Sequence, residues 1–240
     1  MKNIVLIRHG QSMGQTASRQ GISRKDPSLH DCSLSQKGIQ QAYDLRKDPL
    51  LTAYNFDLVC TSPLMRAIST CAIGLGHIDS KKIPREDLPT KFFVRVELSE
   101  FGSGIPENAG RPIEELSKIL RRQLKVEAPD SLMCLDNFDV STIPETWPNA
   151  YNDPHRIRKF IAWLQQRDEK NIAVVCHSLV IKTLLNNRIG SIPNCVPIEC
   201  DLTCDGQLKL KTECCIESTD SSNEGRASSK RIKKKKEKGK

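Results

Sequence analysis

The chain has 240 residues and a formal net charge of +8, from 37 Lys and Arg against 29 Asp and Glu. Nine basic residues and one acid between Arg226 and Lys240 account for the whole excess, so residues 1–225 are formally neutral and do not read as a basic nucleic-acid-binding fold. No apolar run approaches the roughly 18–20 residues of a membrane helix, and the N-terminus turns to charge after four apolar residues, too few for a secretory signal.

Lys2–Ile7 reads as a buried strand rich in Ile and Val. Residues 10–33 read as a long loop. Ser35 is an N-cap for a helix to about Arg46, with Ile39, Ala42, Tyr43 and Leu45 as its apolar stripe. Phe56–Cys60 is a second strand, and Ser62-Pro63 then serve as N-cap and first residue of a helix to about Gly74. Phe92–Leu98 is a third strand. Residues 101–153 read as an insertion over one edge of the sheet, with a helix from Pro112 carrying Ile113, Leu116, Ile119, Leu120 and Leu124. Pro154 opens another helix, followed by strand Ile172–Cys176 and a helix after Ser178. Ile198–Thr203 and Gln207–Thr212 flank Asp205-Gly206, a type I′ hairpin signal.

Strands alternating with helices predict a three-layer α/β/α sandwich. Its central sheet is mostly parallel, with an antiparallel edge from the final hairpin. Residues 1–216 form the catalytic domain in this reading, and 217–240 a disordered tail, first Ser-rich and then Lys-rich. Ten cysteines raise the question of disulfides or zinc. Cys60 and Cys176 lie in apolar strands, and the late cluster (Cys195, Cys200, Cys204, Cys214, Cys215) has no C-x2-C pair or following histidine. They read as reduced thiols in a reducing compartment.

Three strand-to-helix junctions carry the chemistry: Arg8-His9-Gly10-Gln11-Ser12, Thr61-Ser62-Pro63-Leu64-Met65-Arg66-Ala67, and His177-Ser178. Ligands of doubly wound sheets bind at the carboxyl ends of the strands, so two histidines and two arginines would meet there. Arginines donate to phosphoryl oxygens, a helix start adds free N–H groups, and histidine offers a nucleophile.

In chain order stand Arg8-His9-Gly10, Leu34-Ser35-x-x-Gly38 with Gln41-Ala42, Ser62-Pro-Leu-x-Arg66-Ala67 with Thr70, Leu98-x-Glu100 and Val175-Cys-His177-Ser178. Together they resemble the histidine phosphatase superfamily, the phosphoglycerate-mutase-like fold, from about residue 3 to about 190. The resemblance implies His9 as nucleophile and Glu100 as acid and base. Arg8, Arg66 and His177 would hold the phosphoryl oxygens, with Ser178 beside them. Gln15 stands nearest to where the family places a phosphate-reaching asparagine, and is carried over as a substrate contact. No metal or cofactor is implied. Gln11 stands where many members have Glu, and the mutase-type Glu-Arg-His-Tyr-Gly stretch is replaced by Glu97-Leu-Ser-Glu100-Phe-Gly-Ser-Gly. Both departures point to the phosphatase branch, with Glu97 as a rival acid.

The expected function is a metal-independent phosphomonoesterase acting on a small phosphorylated substrate, with a phosphoprotein left open. Two alternatives stand beside it: a phosphoglycerate-mutase-type phosphotransferase, and a phosphate-recognition or scaffold protein with a polybasic tail. Arg19, Arg24, Lys25 and His30 read equally as a basic lid or a solvated loop. The 226–240 segment reads as a nuclear import signal, a weak salt-sensitive contact for polyanions, or a solvated run. A cytoplasmic or nuclear location follows.

Overall fold

The computed structural model describes residues 1–76, 91–102, 104–145, 147 and 153–211. His77, Cys214, Cys215 and the proposed tail 217–240 lie outside the described residues, as does Thr212 at the end of the expected hairpin.

Seven strands form one sheet in the order β4-β3-β2-β5-β1-β6-β7. They are β1 (Lys2–Arg8), β2 (Leu58–Thr61), β3 (Lys91–Val94), β4 (Phe138–Asp139), β5 (Asn171–Cys176), β6 (Pro197–Leu202) and β7 (Leu208–Leu210). The pairs from β4 to β1 are parallel, while β1–β6 and β6–β7 are antiparallel. The helices are α1 (Met13–Arg19), α2 (Gln36–Asp44), α3 (Pro49–Ala53), α4 (Met65–Leu75), α5 (Ile113–Glu127), α6 (Arg156–Gln165) and α7 (Ser178–Leu184). The expected three-layer α/β/α arrangement is therefore present.

Alternation along the central strands places the layers. Ile4 and Leu6 of β1 with Ile172, Val174 and Cys176 of β5 pack on Phe160 and Leu164 of α6 and Val180, Ile181 and Leu184 of α7. Val5, Ile7, Ala173 and Val175 face the other way, toward Leu45, Leu51, Cys71 and Leu75. A strand buried on both faces reads as a continuous apolar run, which is what β1 and β5 show.

Five local expectations change. The 10–33 loop contains α1, opened by a capping box in which Ser12 Oγ accepts from Gln15 N–H and the Gln15 amide oxygen accepts from Ser12 N–H. α4 begins at Met65, two residues later than expected, with Leu64 at the N-cap; the Ser62 hydroxyl instead meets His177 Nε2 and accepts from Leu64 N–H. β3 stops at Val94, since β2 ends at Thr61 and the last ladder bond is Arg95 N–H to Thr61 O at 2.8 Å; a 3-10 turn, Val96–Leu98, follows. The insertion adds β4 to the sheet edge, and α5 buries Leu116 and Leu120 against Leu64, Met65 and Ile68. The final hairpin is not type I′: only Gly206 has positive φ (+79°), and Gly206 N–H closes on Thr203 O at 3.0 Å, a turn followed by a left-handed glycine. Among the described residues, all eight cysteines carry free thiols, and no helix is long and apolar enough to cross a membrane.

Candidate active site

Register puts the chemistry at one edge. Arg8 pairs with Cys176 and Thr61 with Val175, so His9, Ser62 and His177 are the next residues of three adjacent parallel strands. His9 N–H still donates to Cys176 O at 3.0 Å, and Ser62 N–H to Val175 O at 3.1 Å. The rings of His9 and His177 lie 5.0 Å apart, both buried.

The turn after His9 is held by the residues of the family-like motif. Gly10 N–H donates to Thr70 Oγ1 (2.9 Å), and Gln11 N–H to Gln41 Oε1 (2.9 Å). Ser35 Oγ donates to the Gln11 side-chain oxygen at 2.9 Å. Gly38 must lack a side chain, because a Cβ there would stand 2.1 Å from Gln11 O. Sequence reading did not anticipate Asn194, whose Nδ2–H donates to His9 O at 2.6 Å. It also binds Gln15, whose amide oxygen accepts in the capping box and from Asn194 and whose amide nitrogen donates to Asn194 at 3.4 Å, so Gln15 is tied to the loop beside His9.

His9 Nδ1 lies 2.7 Å from Gly10 O. A carbonyl only accepts, so Nδ1 carries the proton and Nε2 the free lone pair. Arg66 Nε–H faces that lone pair at 3.3 Å. Burial, then Arg66 and Arg8, hold the His9 pKa well below its ordinary value, against the Gly10 carbonyl. His177 is depressed for the same first reason, burial, with Arg66 and His9 adding. Its Nε2 meets Ser62 Oγ at 2.8 Å. That hydroxyl also accepts from Leu64 N–H at 3.3 Å, and its proton and second lone pair both face the imidazole. Among the described residues, His177 Nδ1 and Arg8 Nε are both buried without a hydrogen-bond partner, two polar atoms left for a bound group.

Arg66 is fully buried. Its terminal nitrogens donate to Glu107 O and, at 2.9 Å, to Asn108 Oδ1. Asn108 also donates to Phe101 O (2.8 Å). Arg8 is steadied by Ile192 O at 2.6 Å. Glu100 sits at the start of α7, accepting from Phe101 N–H at 2.9 Å and Leu179 N–H at 3.5 Å. Burial raises its pKa although these amides and Arg66 oppose the shift. Glu97 is no rival: both its oxygens bind Arg95, at 2.7 and 3.1 Å. Arg156, stacked 3.9 Å over the Phe101 ring, donates at 2.5 Å to Ser99 O and so braces the Glu100 loop. Ser178 is the half-buried first residue of α7, next to His177. Arg24 pairs with Glu107 and ties the first loop to the insertion, while Trp147 is core, donating from Nε1 to Arg111 O at 3.1 Å. Neither signal was available to spacing arguments.

Two neutral buried histidines also set a stability slope. The unfolded chain protonates them below about pH 6.5 and the fold resists it, so each removes up to about 1.4 kcal/mol per pH unit as pH falls below 6.5. Thermal unfolding of His177→Asn should therefore lose less stability than wild type between pH 6.5 and 5. Equal slopes would count against neutral His177.

Fold and site define an α/β protein with paired histidines and arginines at the carboxyl edge of its sheet. The sequence model of the histidine phosphatase superfamily (branch 1) matches residues 4–129, just over half of the chain. The chain belongs to that superfamily. A Schizosaccharomyces pombe protein described as a probable phosphatase is 34% identical over 89 residues, 37% of this chain and 39% of that protein. A 2,3-bisphosphoglycerate-dependent phosphoglycerate mutase of Streptococcus pyogenes is 25% identical, with 89% of this chain and 97% of the mutase aligned. Among solved structures, the alpha-ribazole phosphatase of Shigella flexneri shares the fold, with a TM-score of 0.50, 24% identity, and 87% and 94% of the two chains covered.

Proposed function

We propose that the protein hydrolyses phosphate monoesters through a phosphohistidine on His9, with Glu100 as acid and base and without a metal. The supporting observation is the tautomer of His9: Nδ1–H on Gly10 O leaves Nε2 as a lone pair beside Arg66. Nε2 attacks phosphorus, the P–O bond to the leaving group breaks, and protonated Glu100 gives its proton to the departing oxygen. Water then attacks the phosphohistidine as Glu100 takes a proton, releasing phosphate and restoring Nε2. Arg66, Arg8 and His177 stabilise the charge spreading over the phosphoryl oxygens. The site suits any small phosphate ester, and the physiological substrate is set by the first loop and residues 101–153.

The test is turnover of p-nitrophenyl phosphate in excess chelator. We expect undiminished hydrolysis and, after acid quench, an acid-labile phosphoenzyme. Loss of activity on chelation would refute the metal-free part, and the absence of any phosphoenzyme would refute the nucleophile. The long alignment with the mutases supports a second reading. It predicts interconversion of phosphoglycerates that depends on a bisphosphorylated sugar acid, in place of net phosphate release.

Two smaller outcomes follow from the same assignment. Asn108→Ala removes one of the two terminal anchors of Arg66 and should lower kcat/KM by roughly tenfold, since small misplacements of a binding group are costly. Deleting residues 226–240 should leave small-substrate turnover unchanged, because the body is neutral without them. A large loss on deletion would make that segment part of the enzyme.

A further inference from the structure

Asp31 is used by none of the steps above, yet it is almost fully buried and holds a left-handed backbone, φ +39°. Such a conformation is tolerated by Asp and Asn better than by most side chains. Its two ends make two contacts. Oδ1 accepts from Met65 N–H at 2.9 Å, and its own N–H donates to Pro106 O at 3.1 Å.

Both contacts lead to Arg66. Met65 opens α4, and the first-turn amides of a helix have no partner within it. The local cap position, Leu64, supplies no side-chain bond, so a carboxylate from thirty-four residues upstream takes that place. Arg66 is the next residue. Pro106 begins the 3-10 turn Pro106–Asn108, whose last two residues hold the Arg66 guanidinium through Glu107 O and Asn108 Oδ1. Asp31 thus joins the backbone that carries Arg66 to the segment that grips its head.

Asp31 also lies apart from the reacting groups. It lines a cleft of about 780 Å³ between α1 and α5 whose walls include none of His9, Arg8, Arg66, Glu100 or His177. Its charge is poorly compensated. Burial raises its pKa to about 7 against Met65 N–H, Arg66 and Arg111, with Glu115 adding to the rise and the Cys32 thiol adjacent in the chain. Arg111 Nε stands 3.9 Å from Oδ2, and among the described residues neither atom has a hydrogen-bond partner. A carboxylate kept there at such a cost is retained for its geometry.

We infer that Asp31 is a positioning residue for Arg66, fixing the start of α4 relative to the 106–108 turn so that the guanidinium meets the phosphoryl group beside His9. The inference rests on the phosphatase reading for its kinetic arm alone.

Two variants of the full chain test it. Asp31→Gly removes the carboxylate while keeping the left-handed backbone free of strain. Asp31→Asn keeps an oxygen that accepts from Met65 N–H. Each is measured for kcat and KM on p-nitrophenyl phosphate, for melting temperature, and for the calorimetric Kd of tungstate, a tetrahedral oxyanion. The glycine variant should lose about tenfold or more in kcat/KM and bind tungstate correspondingly more weakly, and asparagine should restore both to within about threefold of wild type. If the glycine variant does not fold, Asp31→Ala, which also leaves no side-chain oxygen for Met65 N–H, is read in its place. Wild-type kcat/KM and tungstate affinity in a variant with only a lowered melting temperature would overturn the inference, as would failure of asparagine to restore them. Should wild type show no His9-dependent turnover, the phosphatase reading fails, and the tungstate arm still decides the role of Asp31.

Discussion

Replacing His9 with alanine is expected to lower turnover of p-nitrophenyl phosphate by at least about 10⁴-fold, because loss of a covalent nucleophile removes the whole two-step route. The geometry supports so large an effect. Nε2 is the sole unprotonated ring nitrogen of His9, and it faces Arg66. The burial that lowers the His9 pKa also keeps that lone pair available below pH 6.5. Acid-quenched wild type should carry labile phosphate on one histidine and His9→Ala none. Melting temperature must be measured in parallel, and a folded His9→Ala protein retaining a tenth of wild-type turnover would defeat the mechanism.

Glu100→Gln should separate substrates by their leaving groups. On an alkyl phosphate, whose alkoxide needs a proton to depart, kcat/KM should fall by roughly 10²- to 10⁴-fold. On p-nitrophenyl phosphate, which departs as a stable anion, kcat/KM should fall far less, because that ratio reports only the phosphorylation half. The pH profile carries a second signature. Glu100 must be protonated to donate, so alkyl phosphate hydrolysis should decline as pH rises through its raised pKa. His9 must be neutral, and its lowered pKa moves the acid limb downward. Glu100→Gln should therefore lose the alkaline limb while keeping the acid limb set by His9. Equal losses on both substrates would reassign the acid.

Much of this was legible in the sequence because β-strand chemistry is local. Two-sided burial shows in Ile4–Ile7 and Ile172–Val175 as unbroken apolar runs, and a histidine two residues after each run lands at a strand end. The three-layer fold and the gathering of His9, Arg8, Arg66, Glu100 and His177 follow from that order. Helix starts were less legible. Ser62 has the residue type of an N-cap, yet it serves His177, and the bond to Met65 comes from Asp31. Gln15 has the reach of a phosphate ligand, yet a capping box and Asn194 hold it.

The opening +8 belongs to Arg226–Lys240, and the sequence by itself determined that the rest of the chain is neutral. It also determined which residue types stand at the strand ends, since alternation and strand length are written in neighbouring residues. Only the tertiary structure decided which ring nitrogen of His9 is free, which carboxylate is paired and which is not, and what holds Arg66. Those depend on carbonyls and side chains from distant segments: Gly10 fixes a tautomer, Arg95 occupies Glu97, and residues 31 and 106–108 set one guanidinium. Hydrogen bonds act over about 3 Å and say nothing of sequence distance, so such pairings exist only once the chain has folded.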